Sequence, residues 1–226
     1  MQGAQTLSRG LSALKYVADS SGATVQQVAD ALDVQRTVAY RLLCTLVEHQ
    51  LVSRNDSKVY RAAAGLAVLG NAFEAGVRLT SRPILQALAE ELRSSVALLV
   101  AEGEEAVAVL VIVPSDVSYV LSFREGSRHP IDRGAAGIAI LAGQPPRAGE
   151  RPEVSEARLR GWAHSFGEVE PNTHGLAVPV PRGPDAPPTC INLITHREDV
   201  LERSHEALLR SSRRLAVALA GPAHTL

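Results

Sequence analysis

Residues 24–46 read TVQQVADALDVQRTVAYRLLCTL, and the spacing inside this run decides how the N-terminal part of the chain folds. Thr24 stands where a helix opens. Its hydroxyl can accept the backbone N–H three residues on while Gln27 reaches back, a capping box worth roughly 1 kcal/mol. Val25, Val28, Ala29 and Leu32 then share one face of a short helix. Asp33-Val34 breaks it, and a third helix is expected over 35–50 with Val38, Leu42, Leu46 and Val47 inward. Upstream, Leu7, Leu11, Leu14 and Val17 recur at helical spacing until Ser20-Ser21-Gly22 stops them. Downstream, 51–54 and 58–61 flank a turn at Asn55-Asp56-Ser57, which reads as a hairpin. Helix, short helix, tight turn, helix and hairpin is the order of a winged helix-turn-helix.

Further on, residues 66–80 form another helical pattern, with Leu66, Leu69, Phe73 and Val77 on a narrow, heptad-like stripe. Such a stripe suits packing on a partner chain or on the chain's own domain. Thr80-Ser81-Arg82-Pro83 marks an expected boundary. Beyond it the pattern turns α/β, with a helix over 84–94 and an apolar hairpin of 96–101 and 106–113 hinged at Glu102-Gly103-Glu104-Glu105. A third strand is expected at 119–123, then helices at 134–142 and 155–164, strands at 176–180 and 189–195, and a closing helix over 199–220. The expected fold is therefore a two-domain α/β chain. A winged helix-turn-helix occupies 1–65, a linker or dimerisation helix 66–82, and an α/β domain with an antiparallel sheet 83–226.

Composition narrows the function classes. Apolar residues make up 46% of the 226 and charged residues 21%, which is ordinary for globular domains. The net charge is −1, unevenly spread: 1–61 carry seven Lys/Arg against five Asp/Glu, and 62–226 carry sixteen against nineteen. A mildly basic head on an acidic body lets the head face phosphate. Two cysteines, Cys44 and Cys190, are too few for a disulfide framework and read as small buried hydrophobes in a reducing compartment. The start Met1-Gln2-Gly3-Ala4-Gln5 lacks the features of a signal peptide, and the longest apolar run, 106–113, is too short to span a membrane. A cytoplasmic protein with no membrane partner is expected. No nucleophile elbow, P-loop or dinucleotide fingerprint occurs, and Ser127-Arg128-His129 near Asp132 has triad residue types without triad geometry. The pairs His164/His174 and His196/His205 lack a closed metal-ligand spacing. Neither an enzyme nor a cofactor or metal is expected.

The third helix carries the chemistry. An α-helix fits the major groove with its N-terminal residues at base edges. Gln35 can pair with adenine, Arg36 with guanine or a phosphate, and Thr37 with a phosphate or a thymine methyl. One turn later Tyr40 and Arg41 reach the same face, while Arg54 and Lys58 bracket a wing tip suited to the phosphate backbone. Thr24 opens the preceding helix beside them. Two rivals remain: a small-molecule-binding enzyme or sensor with an N-terminal dimerisation module, and an adaptor whose winged helix binds protein.

Over nearly its whole length the sequence resembles the IclR family of transcription regulators. The N-terminal resemblance rests on Arg36-Thr37-Val38-Ala39-Tyr40-Arg41-Leu42-Leu43-Cys44-Thr45-Leu46, on Tyr60-Arg61, and on Gly65-Leu66 and Leu69-Gly70. The C-terminal one rests on Gly126, Arg128, Pro130, Ala135-Ala136-Gly137-Ile138-Ala139 and Gly161-Trp162-Ala163. It continues through Glu168, Glu170-Pro171 and Leu176-Ala177-Val178-Pro179-Val180. The resemblance implies a GAF-like effector domain, a homodimer or dimer of dimers, and double-stranded DNA with a palindromic operator as partner. It also implies a small-molecule effector, often a carboxylated metabolite. Backbone amides at the Gly134-Ala135-Ala136-Gly137 helix start would favour an organic acid. The chain departs from the family at Ser165-Phe166, where acidic residues are common, at Gly175, where Cys is frequent, and at Asn192 and Ile194, where Ser is frequent. Those departures, with Ala135, Ala136 and Gly137, are the expected effector-binding residues, and an amphiphilic ligand is expected from them.

Overall fold

The computed structural model describes residues 4–72, 75–114 and 123–220. The chain divides into two compact units, Met1–Ala75 and Gly76–Leu226.

The first unit holds α1 (Gln5–Asp19), α2 (Val25–Leu32), α3 (Arg36–Glu48), β1 (Val52–Arg54), β2 (Tyr60–Ala62) and α4 (Gly65–Ala72). The expected capping box is present: the Thr24 N–H donates to Gln27 Oε1 at 2.8 Å, and the Gln27 N–H donates to Thr24 Oγ1 at 3.3 Å. Asp33 adopts the left-handed conformation that turns the chain from α2 into α3. The core draws on Ala13, Val17, Val28, Ala29, Ala39, Leu43, Leu46, Val52 and Tyr60. Of the expected stripe on α1, Val17 is buried and Leu14 packs partly against the core, whereas Leu7 and Leu11 are exposed; Ala13 completes the buried face. Val47 also points outward, as does Cys44, which lies one turn after the exposed Tyr40; Cys190 is buried as expected.

Two main-chain bonds bind the hairpin to the helices. Ala23 N–H donates to the Tyr60 carbonyl at 2.8 Å, and Tyr60 N–H donates to the Ala23 carbonyl at 2.8 Å. Gly22 makes this approach possible: at φ 129 a Cβ would lie 3.0 Å from Arg61 Cγ. At the tip Asn55 closes the turn, its Oδ1 accepting the Val59 N–H at 2.9 Å.

The second unit contains α5 (Ala75–Leu92), β3 (Ser95–Glu102), β4 (Glu105–Ile112), β5 (Arg128–Pro130), α6 (Gly134–Ala142), α7 (Pro152–Arg160), β6 (Ala163–Phe166), β7 (His174–Val180), β8 (Thr189–Thr195) and α8 (Glu198–Ala220). Helix α5 runs through Pro83 without a break. Pro83 is exposed, so the carbonyl its ring leaves unbonded can be solvated. The expected stripe on 66–80 divides: Leu69 is 58% exposed, whereas Val77 joins the core of its own unit. Phe73 of that stripe, and all of the expected strand at 119–123 but Phe123, fall outside the described residues.

The sheet is antiparallel throughout, in the order β5-β4-β3-β8-β7-β6. Its two faces differ in side-chain size. One carries Val96, Leu98, Leu176, Val178, Ile191 and Leu193 against α5 and α8. The other carries Ala97, Ala106, Ala108, Ala163 and Ala177. Small residues on that second face let α6, itself built of Gly and Ala in its first turn, lie close to the sheet.

Helix α7 begins with Pro152 at its first turn and ends at Gly161, whose φ of 82 stops the helix. Its Arg158 clamps the preceding loop. The guanidinium makes two bonds to the Glu150 carboxylate, at 2.5 and 3.0 Å, and reaches the Gln144 and Leu141 carbonyls. The Arg158 bond lowers the Glu150 pKa from 4.5 to about 2, with Ser155 assisting. A carboxyl depressed in the folded state stabilises the fold above its ordinary value and loses that contribution as pH falls. Wild type is therefore expected to lose melting temperature between pH 4.5 and about 2 more steeply than Glu150→Gln. Parallel acid melting profiles of the two proteins would show the clamp to be idle.

Candidate nucleic-acid interface and effector cavity

Helices α2 and α3 and the hairpin enclose an open groove of about 790 Å3. Among its lining residues are Thr24, Arg36, Thr37, Tyr40, Arg41, Arg54 and Lys58, seven of the eight residues expected to touch DNA. Gln35, the eighth, is the exposed residue preceding α3 and lies outside this lining. Sequence reasoning missed Val25, Gln26, Ser57 and Tyr60, which line the same groove. The helical wheel could have signalled Gln26, whose neighbours Thr24 and Gln27 form the helix start.

Four cationic side chains and no carboxylate line the groove. Among the described residues no ion pair engages Arg36, Arg41, Arg54 or Lys58, so their charge is available to a polyanion. Arg54 lies 5.8 Å above the Tyr60 ring, which holds the guanidinium at the root of the wing. Tyr40 is 47% exposed, and a hydrogen bond with Cys44 raises its pKa, so the phenol stays protonated and can donate to a phosphate or base. The groove thus offers a helix start, a donor-rich face and a basic rim on one surface.

Residues 6–56 match the IclR helix-turn-helix domain. The first unit therefore carries an IclR-type helix-turn-helix domain. The chain is 29% identical to the HTH-type transcriptional regulator BhcR of Paracoccus denitrificans over 206 residues, covering 79% of this chain and 72% of that one. It is 27% identical to the HTH-type transcriptional regulator Rv1719 of Mycobacterium tuberculosis over 197 residues, covering 77% and 74%. In fold it is similar to an IclR homologue of Microbacterium hydrocarbonoxydans complexed with 4-hydroxybenzoate, at a TM-score of 0.81 and 17% identity over 96% of this chain and 100% of that one. The IclR protein of Thermotoga maritima gives a TM-score of 0.73 at 19% identity, covering 95% and 98%.

In the second unit a small cavity of about 40 Å3 lies between α6 and the β6-β7-β8 edge of the sheet. Ala135, Ala136, Ser165, Gly175, Asn192 and Ile194 line it, as expected. Two expected residues do not. Strand alternation turns Ser165 inward and Phe166 outward, where it is 54% exposed and packs on the His174 ring at 4.5 Å. Gly137 faces the Ile131 carbonyl, which a Cβ would approach to 2.1 Å, so this glycine serves helix packing. Gly137→Ala is expected to destabilise the second unit by ~1–3 kcal/mol or more through overpacking, read by thermal denaturation; a variant as stable as the parent would refute the packing role.

The helix start also differs from expectation. The Gly134 N–H donates to Glu168 Oε2 at 2.9 Å, and the Ala135 N–H donates to Ser165 Oγ at 2.8 Å. These two amides are bonded within the chain, not exposed, because the β6–β7 connection returns across the start of α6. Glu168, Glu170, Thr173, His129 and His174 line the cavity and were not expected there. The short β6 strand, which leads into the connection, was not expected: its first two residues, Ala163 and His164, fell at the end of the helix expected over 155–164.

Proposed function

We propose that this protein is an IclR-family regulator that binds a palindromic operator as a homodimer or dimer of dimers, and that a small molecule in the cavity beside α6 modulates that binding. Residues 1–65 act as the reading head, 66–82 as connector and 83–226 as the effector domain. The groove is the observation that carries the proposal. Arg36, Thr37, Tyr40 and Arg41 face the bases, with Gln35 at the entry of α3, and Thr24, Arg54 and Lys58 hold phosphates on either side.

Leu7 and Leu11 support self-association. They are 64% and 51% exposed one turn apart on α1, an apolar face of the kind that packs against a second copy. The cavity, with Asn192 among its walls, supports a small-molecule effector of amphiphilic character. Its bonded helix amides remove the ground on which an organic acid was expected. No catalytic step is proposed for any of these residues.

The experiment is selection of DNA from a random pool by the full-length protein, followed by binding titrations across a salt series. Enrichment of an inverted repeat, with affinity that falls steeply with salt, is the expected result. Retention of all sequences alike, or of none at low salt, would overturn the reading.

A further inference from the structure

We infer that the cavity selects a compact ligand that presents hydrogen-bond donors, such as an amidine, amine or amide, and rejects carboxylates. This rests on the effector reading above. The position an anion would take at the start of α6 is already filled from within: Glu168 Oε2 holds the Gly134 N–H at 2.9 Å and Ser165 Oγ the Ala135 N–H at 2.8 Å. An arriving carboxylate would meet Glu168 already seated and Glu170 as a second lining carboxylate. Among the described residues no Lys or Arg lines the cavity. The Arg151 guanidinium, 3.9 Å from Glu168 Oε2, lies outside the lining.

The interior asks for donors. Asn192 is only 8% exposed, yet its Oδ1 has no hydrogen-bond partner among the described residues. Buried acceptors are normally satisfied, so this one points to a missing donor. The route to it is open because position 175 has no side chain: a Cβ there would lie 3.6 Å from Asn192 Oδ1 and 3.1 Å from the Ala135 Cβ. His129 also lines the cavity; its Nδ1 donates to the Pro130 carbonyl at 2.9 Å, because that carbonyl can only accept. A space of about 40 Å3 would hold roughly three waters at ~10–15 Å3 each, which fits a donor head of a few atoms. Any apolar body would lie against Phe123, Val169 and Ile194.

Two isosteric series test this by calorimetric titration of the full-length protein: acetamidine, acetamide and acetate, and benzamidine, benzamide and benzoate. In each series the amidine is expected to bind most tightly and the carboxylate most weakly. Glu168→Gln keeps an acceptor for the Gly134 N–H but removes the charge. It should weaken amidine binding roughly tenfold, as when a charge-assisted hydrogen bond becomes neutral. Glu168→Ala bares the helix amides and should admit benzoate. Asn192→Leu should weaken amidine and amide together; Gly175→Ala, which crowds the same oxygen, replaces it if that variant does not fold. If the carboxylate binds most tightly to wild type and Asn192→Leu abolishes it, the donor assignment falls while the cavity stands as the effector site. If no compound binds wild type or Glu168→Ala, or if binding ignores Asn192→Leu and Gly175→Ala alike, both fall.

Discussion

Replacing Arg36 and Arg41 together by alanine is expected to weaken operator binding by about 2–6 kcal/mol, since removing one good base contact costs ~1–3 kcal/mol. Both side chains are exposed, and neither pairs with a carboxylate among the described residues, so the fold should be untouched. Two readouts separate their roles. An arginine that reads a base relaxes the sequence preference at one position when it is removed. An arginine that holds a phosphate weakens all sequences alike on removal and lowers the salt slope by about one. Fluorescence anisotropy with the selected operator, repeated over a salt series, measures both. Unchanged affinity and slope in a folded double variant would mean that α3 is not the reading helix.

Tyr60→Ala should act on stability instead. Tyr60 is 1% exposed and is the largest fully buried side chain of the first unit. Truncating a buried aromatic costs ~3–5 kcal/mol. That is a large share of the ~5–15 kcal/mol that holds a whole domain together. Burial also pushes the Tyr60 phenol above its ordinary pKa of 10, so the ring remains neutral and its loss leaves no stranded charge. Chemical denaturation should show an early transition for the head, with the second unit unfolding where it did before. A loss of less than about 1 kcal/mol would mean the head is held together elsewhere.

The head was largely legible because its signals are local. Thr24 and Gln27 lie three apart, and the order of helices and hairpin follows from turn residues alone. Which face of a helix is buried was less legible. Leu7, Leu11, Leu14 and Val17 satisfy the helical period, but only the C-terminal end of that stripe, with Ala13, meets the core, and periodicity does not say where along a helix burial begins. In the second unit the hairpin of β3 and β4, α6 and β8 could be read from apolar runs. Strand β6 could not, since it is only four residues long and its first two, Ala163 and His164, looked like the end of the preceding helix. Pro152 at the start and Gly161 at the end of α7 were the available cue. Without β6, the return of Glu168 onto α6 had no basis, and the helix start looked open. Gly137 was misread for a related reason: a small residue beside a cavity and one beneath a carbonyl are the same letter.

The paired main-chain bonds between Ala23 and Tyr60 tie the wing to the residues that open α2. The wing cannot swing away from the start of α2 unless both bonds break. In the proposed dimer, control by a ligand would then act on the distance and phase between two such heads. Operators with about five base pairs inserted at their centre, half a helical turn, would put the half-sites on opposite sides of the duplex. An insertion of about ten base pairs would restore the side but not the distance. The response of the protein to those two insertions would measure how much of its regulation is a matter of length and how much of rotation.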